Sequence, residues 1–382
     1  MLLDCIRTGD GWPDAEMSLV TLGGGPAVAA AAALGAQTTV VEPPAALGSI
    51  GDAFGSLRTV IPALAPLAGG FPRFFRRFSR AVTAAAPELV HSHGIKTHVL
   101  AALLPRRAPI VWHLHDYVGM RSVSSRLLRL LAHRCSLVIA VSESVARDAR
   151  RRLPASLPIV VVHNCVDGGR FRADGPVLDL DALSGLLPAP AGTIRIGLPA
   201  TFARWKGQEV FLAALARLDR PDVRGYVIGG PVYQTRNSQW SGAELRAMAE
   251  GLGLKQVGFT GFLDDMPAAY RALDIVVHAS TRPEPFGLAI AEAMASGRPV
   301  VAAPAGGAAE LFVDGEHALG VAAGDPDTLA RALRALVTDA PRRQALGRRA
   351  RAHALECFGP ERFGSRLQQA LGVILPAQGQ AA

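Results

Sequence analysis

The feature that most constrains this chain is an alternation, kept up from end to end, of short strand-like runs with helical segments. In the first half the runs are Met17–Leu22, Leu89–His93, Ile110–His115, Leu137–Val141 and Ile159–His163, each apolar or β-branched and followed by helix signals such as Ser142 ahead of Glu143–Leu153. Such alternation predicts a parallel, doubly wound sheet. A stretch rich in Gly, Pro, Ala and Asp from Asp167 to Gly192 interrupts the pattern. It restarts with Ile194–Leu198, Arg224–Ile228, Gln256–Thr260, Ile275–His278 and Pro299–Ala302, with helices over Gln208–Leu218, Ala243–Leu252 and Leu288–Ser296. The expectation is an α/β chain with two doubly wound domains: residues 1–170, a linker over 171–192, and residues 193–358. A C-terminal helix and a disordered tail occupy 359–382. Ligands of open parallel sheets bind beyond the carboxyl ends of the strands, so two such domains are expected to face a shared cleft.

Size and composition fit this division. A chain of 382 residues that is 49% apolar can fill two cores. The longest nearly apolar run, Ala27 to Ala36, is well short of the roughly 18–20 residues that span a bilayer. No basic region precedes a long apolar stretch at the N-terminus, which predicts a cytoplasmic protein. Cys5, Cys135, Cys165 and Cys357 lie far apart, as reduced thiols of a cytoplasmic chain would, and the ten histidines show no metal-ligand spacing. Neither a bound catalytic metal nor a cofactor is expected. Basic charge sits in the first lobe, where residues 1–175 hold 19 Lys/Arg against 12 Asp/Glu. That field favours anionic partners, but no nucleic-acid-binding motif accompanies it.

The sharpest chemical signal is the segment Arg282 to Pro299. It places a Pro-rich turn and a glycine between a strand and a helix. A helix start offers unpaired amides and a positive dipole end, so the backbone at Gly287 and Leu288 can hold a diphosphate. Glu284 in the turn and Glu292 in the helix can flank one ligand and accept hydrogen bonds from its hydroxyls. A lone glutamate at Glu292 would read first as an ordinary exposed helix residue, but Ala289–Ala295 is otherwise apolar, and a charge there needs a partner.

With seven residues between Glu284 and Glu292, inside Pro-Glu-Pro-Phe-Gly-Leu and Glu-Ala-Met-Ala-Ser-Gly-Arg-Pro-Val-Val, this segment closely resembles the signature of family 4 retaining glycosyltransferases. Leu89–Gly94, Trp112–Asp116, Ala140–Ser142 and His163–Asp167 resemble N-domain landmarks of that family. Trp205–Gln208, Gly258–Phe262 and Gly306–Glu310 resemble its C-domain landmarks. The resemblance implies the GT-B architecture and transfer of a sugar from a UDP- or GDP-sugar to an acceptor hydroxyl, with retention and without a metal. The acceptor would be a glycan, a lipid-linked molecule or a small molecule. It further implies that Glu284 contacts the donor sugar, Glu292 the ribose, and the Gly287 and Leu288 amides the phosphates. Lys206 would offset diphosphate charge as the leaving group departs. Arg204, Phe262 and Phe286 complete the implied donor set. His115, at the end of a strand beside Asp116, falls on the catalytic and acceptor side, or is a hydrogen-bonded structural histidine. Asn164 either touches the ligand or orients a turn.

The chain departs from the family where a diphosphate-clamping arginine is usual. Ala200-Thr201 stand there, and Arg204 is the nearby candidate substitute. This keeps open a catalytically impaired nucleotide-binding homologue, and more remotely a sugar-nucleotide epimerase on the same fold. A nicotinamide-dependent oxidoreductase would need Gly-x-Gly-x-x-Gly, which Gly23-Gly24-Gly25-Pro26 does not supply. Cys165 replaces a usual glycine. Phe71, Phe74, Phe75 and Phe78 share a helical face opposite Arg73, Arg76, Arg77 and Arg80. That helix either packs on the core or makes peripheral contact with the inner face of an anionic membrane. Finally, Met1–Ile6 reads as a helix where relatives have the helix after their first strand. The expectation is that the first strand of domain one is missing and that the natural product begins upstream of Met1.

Overall fold

The computed structural model describes residues 2–9, 12, 14–45, 67–232 and 238–375; the expected disordered tail lies outside them. The chain divides into two compact units, Met1–Asn164 with Pro360–Ala382, and Cys165–Gly359.

In chain order the first unit holds α1 (Leu2–Arg7), β1 (Ser18–Thr21), α2 (Pro26–Ala33), β2 (Gln37–Val40), α3 (Leu67–Ala84), β3 (Val90–His93), α4 (Ile95–Ala102), β4 (Ile110–Leu114), α5 (Ser122–Leu131), β5 (Leu137–Ala140), α6 (Glu143–Arg152) and β6 (Ile159–Val161). The second holds α7 (Leu180–Leu183), β7 (Ile194–Pro199), α8 (Gln208–Leu218), β8 (Val223–Ile228), α9 (Gly242–Gly251), β9 (Val257–Gly261), α10 (Met266–Arg271), β10 (Ile275–His278), α11 (Leu288–Ala295), β11 (Val300–Ala302), β12 (Leu319–Gly320), α12 (Pro326–Val337) and α13 (Ala340–Phe358). The chain then returns to the first unit as α14 (Pro360–Gly372).

In the first unit every residue of β4 and β5 is buried, as the continuous apolar runs require of strands covered on both faces. Where the sequence predicts one sheet, the described residues form two, β1-β2 and β3-β4-β5-β6, all parallel. Strand β2 carries no apolar alternation and is mostly exposed, which is why periodicity misses it. Helix α6 starts on Ser142, whose hydroxyl accepts from the Val145 amide at 3.1 Å. It ends on Arg150, Arg151 and Arg152, cations suited to the negative end of its dipole. Helix α3 buries Phe74 and Phe78 and exposes Arg73, Arg76, Arg77 and Arg80, so its phenylalanine face serves the core of its own unit.

The second unit has one parallel sheet of order β12-β11-β10-β7-β8-β9. Ile196, Leu198, Val227, Ile275, Val277 and Val301 fill it, and Phe211, Leu215, Leu245, Leu333 and Leu336 cover it from the helices. Each such fully buried side chain contributes roughly 1.5–3 kcal/mol. The strand order reverses between β7 and β10, so the loops that leave these two neighbours diverge to opposite faces and open a crevice at their carboxyl ends. Residues 171–192, read as linker, pack onto this unit. Asp181 in α7 accepts from Arg224 at 2.6 Å, Tyr226 at 2.5 Å and Arg195 at 3.2 Å, all three on β7 and β8.

Candidate active site

The crevice between β7 and β10 gathers the strongest sequence signals. After β7 the chain makes a short turn, Arg204–Lys206, closed by Gly207 at φ 74. The turn is stitched to the loop after β10 by the Thr281 amide, which donates to the Trp205 carbonyl at 2.8 Å. Gly207 is needed for close approach as well as conformation, since a Cβ there would overlap the Ala279 carbonyl. This stitching sets Lys206 Nζ 2.5 Å from Glu284 Oε1. The Glu284 backbone is held in turn: its amide donates to Ala305 at 3.0 Å and its carbonyl accepts from Gly307 at 2.6 Å.

The second Glu284 oxygen accepts from Ser280 Oγ at 2.8 Å and lies 3.5 Å from His278 Nε2. Burial raises the Glu284 pKa, but His278 and Lys206 outweigh it and hold the carboxyl well below its usual range. Sequence reasoning missed His278 and Ser280. Their signal was available: polar residues two apart at the end of an apolar strand point to one face.

Gly287, at φ 102, begins α11, and Leu288 is its first residue. Four residues on, the Glu292 carboxylate accepts from the Tyr270 hydroxyl at 3.0 Å. Burial raises the Glu292 pKa to about 7, opposed by the Tyr270 bond and the charge of Arg170. Glu292 therefore does have a partner, one that sequence reasoning did not name.

Three further residues of the expected donor set have surroundings of their own. The Phe286 ring is buried, edge-on to Phe358 at 5.8 Å. Arg204 stacks on Trp240 at 3.6 Å and reaches Glu244 at 3.4 Å. Phe262 is 62% exposed after β9, where its ring covers Gly230. The Thr201 hydroxyl is buried with no hydrogen-bond partner among the described residues.

His115 and Asn164 belong to the first unit. His115 Nε2 is 2.9 Å from His93 Nδ1, and its ring stacks on His113 at 4.6 Å. Burial lowers its pKa to about 4. Asn164 is buried, and its Oδ1 has no partner among the described residues. Among those residues no helix is long and apolar enough to cross a membrane.

Residues 188–353 match the family model described as glycosyl transferases group 1, and residues 27–170 match that of glycosyltransferase family 4. The lipopolysaccharide core biosynthesis mannosyltransferase LpcC of Rhizobium leguminosarum bv. viciae is 32% identical over 336 residues, 78% of this chain and 93% of that protein. The D-inositol 3-phosphate glycosyltransferase of Streptomyces avermitilis is 30% identical over 71% of this chain, and that of Corynebacterium kroppenstedtii 37% identical over 44%. The chain spans 62% and 38% of the length of those two relatives. Among solved structures, Anabaena Alr3699/HepE in complex with UDP and glucose is similar at a TM-score of 0.80 and 27% identity, over 97% of this chain and 95% of that one. With two Rossmann-like units of the GT-B class and both family segments in order, the chain belongs to the family 4, or group 1, glycosyltransferases.

Proposed function

We propose that this chain transfers a sugar from a UDP- or GDP-sugar to an acceptor hydroxyl, with retention of configuration and with no metal at the donor diphosphate. The observation that carries the reading is the Lys206–Glu284 pair at the strand-order reversal, beside the start of α11. A cation, a carboxylate and helix-start amides in one crevice match the phosphates and hydroxyls of a nucleotide sugar. Glu284 orients the sugar hydroxyls, Glu292 the ribose, and the backbone at Gly287 and Leu288 the phosphates. The bond from the anomeric carbon to the diphosphate oxygen breaks, the diphosphate takes the electron pair, and Lys206 offsets the charge that develops. The acceptor oxygen attacks from the same face, and its proton passes to the departing phosphate oxygen, so no protein nucleophile is required. His115 and Asn164 are assigned to the acceptor side. His115, uncharged at neutral pH, serves there as a hydrogen-bond partner.

Titration calorimetry with UDP and GDP tests the assignment. One of them should bind, and Lys206→Ala and Glu292→Ala should each weaken it tenfold or more, on the order of 1.4 kcal/mol. Equal affinity in both variants would refute the site. Chelation should leave nucleotide affinity unchanged; loss with EDTA and recovery with manganese would refute the metal-free donor site. A nucleotide-binding homologue without turnover is the second reading, motivated by Thr201 standing where the family's clamping arginine is usual. Binding without release of nucleoside diphosphate from any UDP- or GDP-sugar would select it.

A further inference from the structure

A second cluster of chemistry-bearing side chains lies in the first unit. His91 and His93 alternate along β3 and so share a face, and the register sets His93 beside His113 on β4. The rings pack closely, with His91 parallel to His113 at 5.2 Å and His93 at 4.5 Å from His91. Helix α1 lays Cys5, only 2% exposed, against this face. One donor atom each from Cys5, His91, His93 and His113 lie within 4.8 Å of one another. We propose that these four residues form a closed binding site for a zinc-type divalent cation.

Three features carry this. Three imidazoles and a thiolate are the ligand chemistry of tetrahedral zinc, and bonds of about 2.0–2.3 Å would need the donor atoms roughly 3.3–3.7 Å apart, a contraction of about 1 Å. His113 Nε2 is buried and has no hydrogen-bond partner among the described residues, a cost a metal or its ligand network would remove. The His93 ring is already held by His115 at 2.9 Å, the kind of outer contact that orients a metal-bound imidazole. With four protein ligands the site has no open position, so it is structural and leaves the donor chemistry untouched. It ties α1 to β3 and β4 where, among the described residues, the hydrogen bonding of the β3–β6 sheet ends. Linear spacing conceals the site because Cys5 and His91 meet only in the fold.

The test uses the full chain, stripped with chelator and carrying no histidine tag. Cobalt titration should saturate at one equivalent per chain and give tetrahedral absorption with a thiolate-to-metal charge-transfer band. Cys5→Ser, checked by circular dichroism for an unchanged fold, should abolish that band, and His93→Ala should lose saturable binding. Zinc should raise the melting temperature of the wild-type chain and not of Cys5→Ser. Failure of the folded chain to take up cobalt would overturn the proposal. So would uptake that survives Cys5→Ser and His93→Ala, or uptake lost instead in His353→Ala, which belongs to the separate His317, His353 and Cys357 group.

Discussion

Glu284 and Glu292 show how environment separates two carboxylates of one motif. The first is ionised firmly by Lys206 and His278, whereas the second is buried, with the Tyr270 hydroxyl and the charge of Arg170 only partly offsetting that burial, and is half protonated near pH 7. Because the folded pKa of Glu292 is raised, the native state holds a proton that the unfolded chain has released, and stability falls as pH rises from about 4.3 toward 7. If the ionised form accepts the ribose hydroxyls, nucleotide affinity should rise with pH through an inflection near 7. That inflection should vanish in Glu292→Gln; calorimetry from pH 5.5 to 8.5 reads it directly, and a flat wild-type profile would deny the role. Thr201 yields a second test. The guanidinium of Arg204 is engaged with Trp240 and Glu244, so Thr201→Arg should tighten nucleoside diphosphate binding by roughly 1.5–3 kcal/mol, the value of a charge-assisted bond. Unchanged or weaker binding would show that the crevice has no place for the added charge.

At the scale of elements, the site depends on two loops held in register by backbone contact. Gly207 is left-handed and abuts the Ala279 carbonyl, so Gly207→Ala forces both strain and a clash. It should destabilise the second unit by about 2 kcal/mol or more and displace Lys206, measured as a lower urea midpoint together with weaker nucleotide binding. A shift in neither would show that the turn adapts freely. Most helices and strands of this unit were legible because their apolar periods and caps agree, while the short α7, α10 and β12 went unread. Ser241 with Glu244 forms a full capping box at α9, and Asp325 with Pro326 opens α12. The Glu284 and Lys206 loops were legible as motifs, but their contact was not, since it spans 78 residues and is set by strand order. Tyr270 escaped notice for a similar reason, 22 residues before Glu292, whereas His278 and Ser280 were missed although their spacing at the end of β10 was readable. For Phe286 and Arg204 the motif gives a position along the chain but not the direction of the side chain, so the buried Phe286 ring and the Arg204–Trp240 stack were not readable. The two-sheet first unit was only partly readable, as β2 lacks the apolar alternation that marks a strand.

At the scale of the molecule, the segment joining the two repeats of the fold is fastened by charge. Asp181 is buried in α7 and is shared by Arg224, Tyr226, Arg195 and the Ala189 amide. Arg224 is itself buried, so removing the carboxylate strands a cation away from water as well as losing several hydrogen bonds. Asp181→Ala should therefore cost about 3–5 kcal/mol in the transition of the second unit and leave the first unit's transition unmoved. Burial raises the Asp181 pKa, but the bonds from Tyr226 and Arg224 outweigh it and hold the carboxyl far below its usual range. A depressed folded pKa stabilises the native state above the unfolded value of about 3.9, and that stabilisation is lost as pH falls below it. The gap between wild type and Asp181→Ala should accordingly be full at pH 7, persist to about pH 4 and narrow in stronger acid. Calorimetry across that range decides the matter: a gap under about 1 kcal/mol at pH 7, or one that widens on acidification, would mean that the segment is held by its apolar contacts and not by this carboxylate.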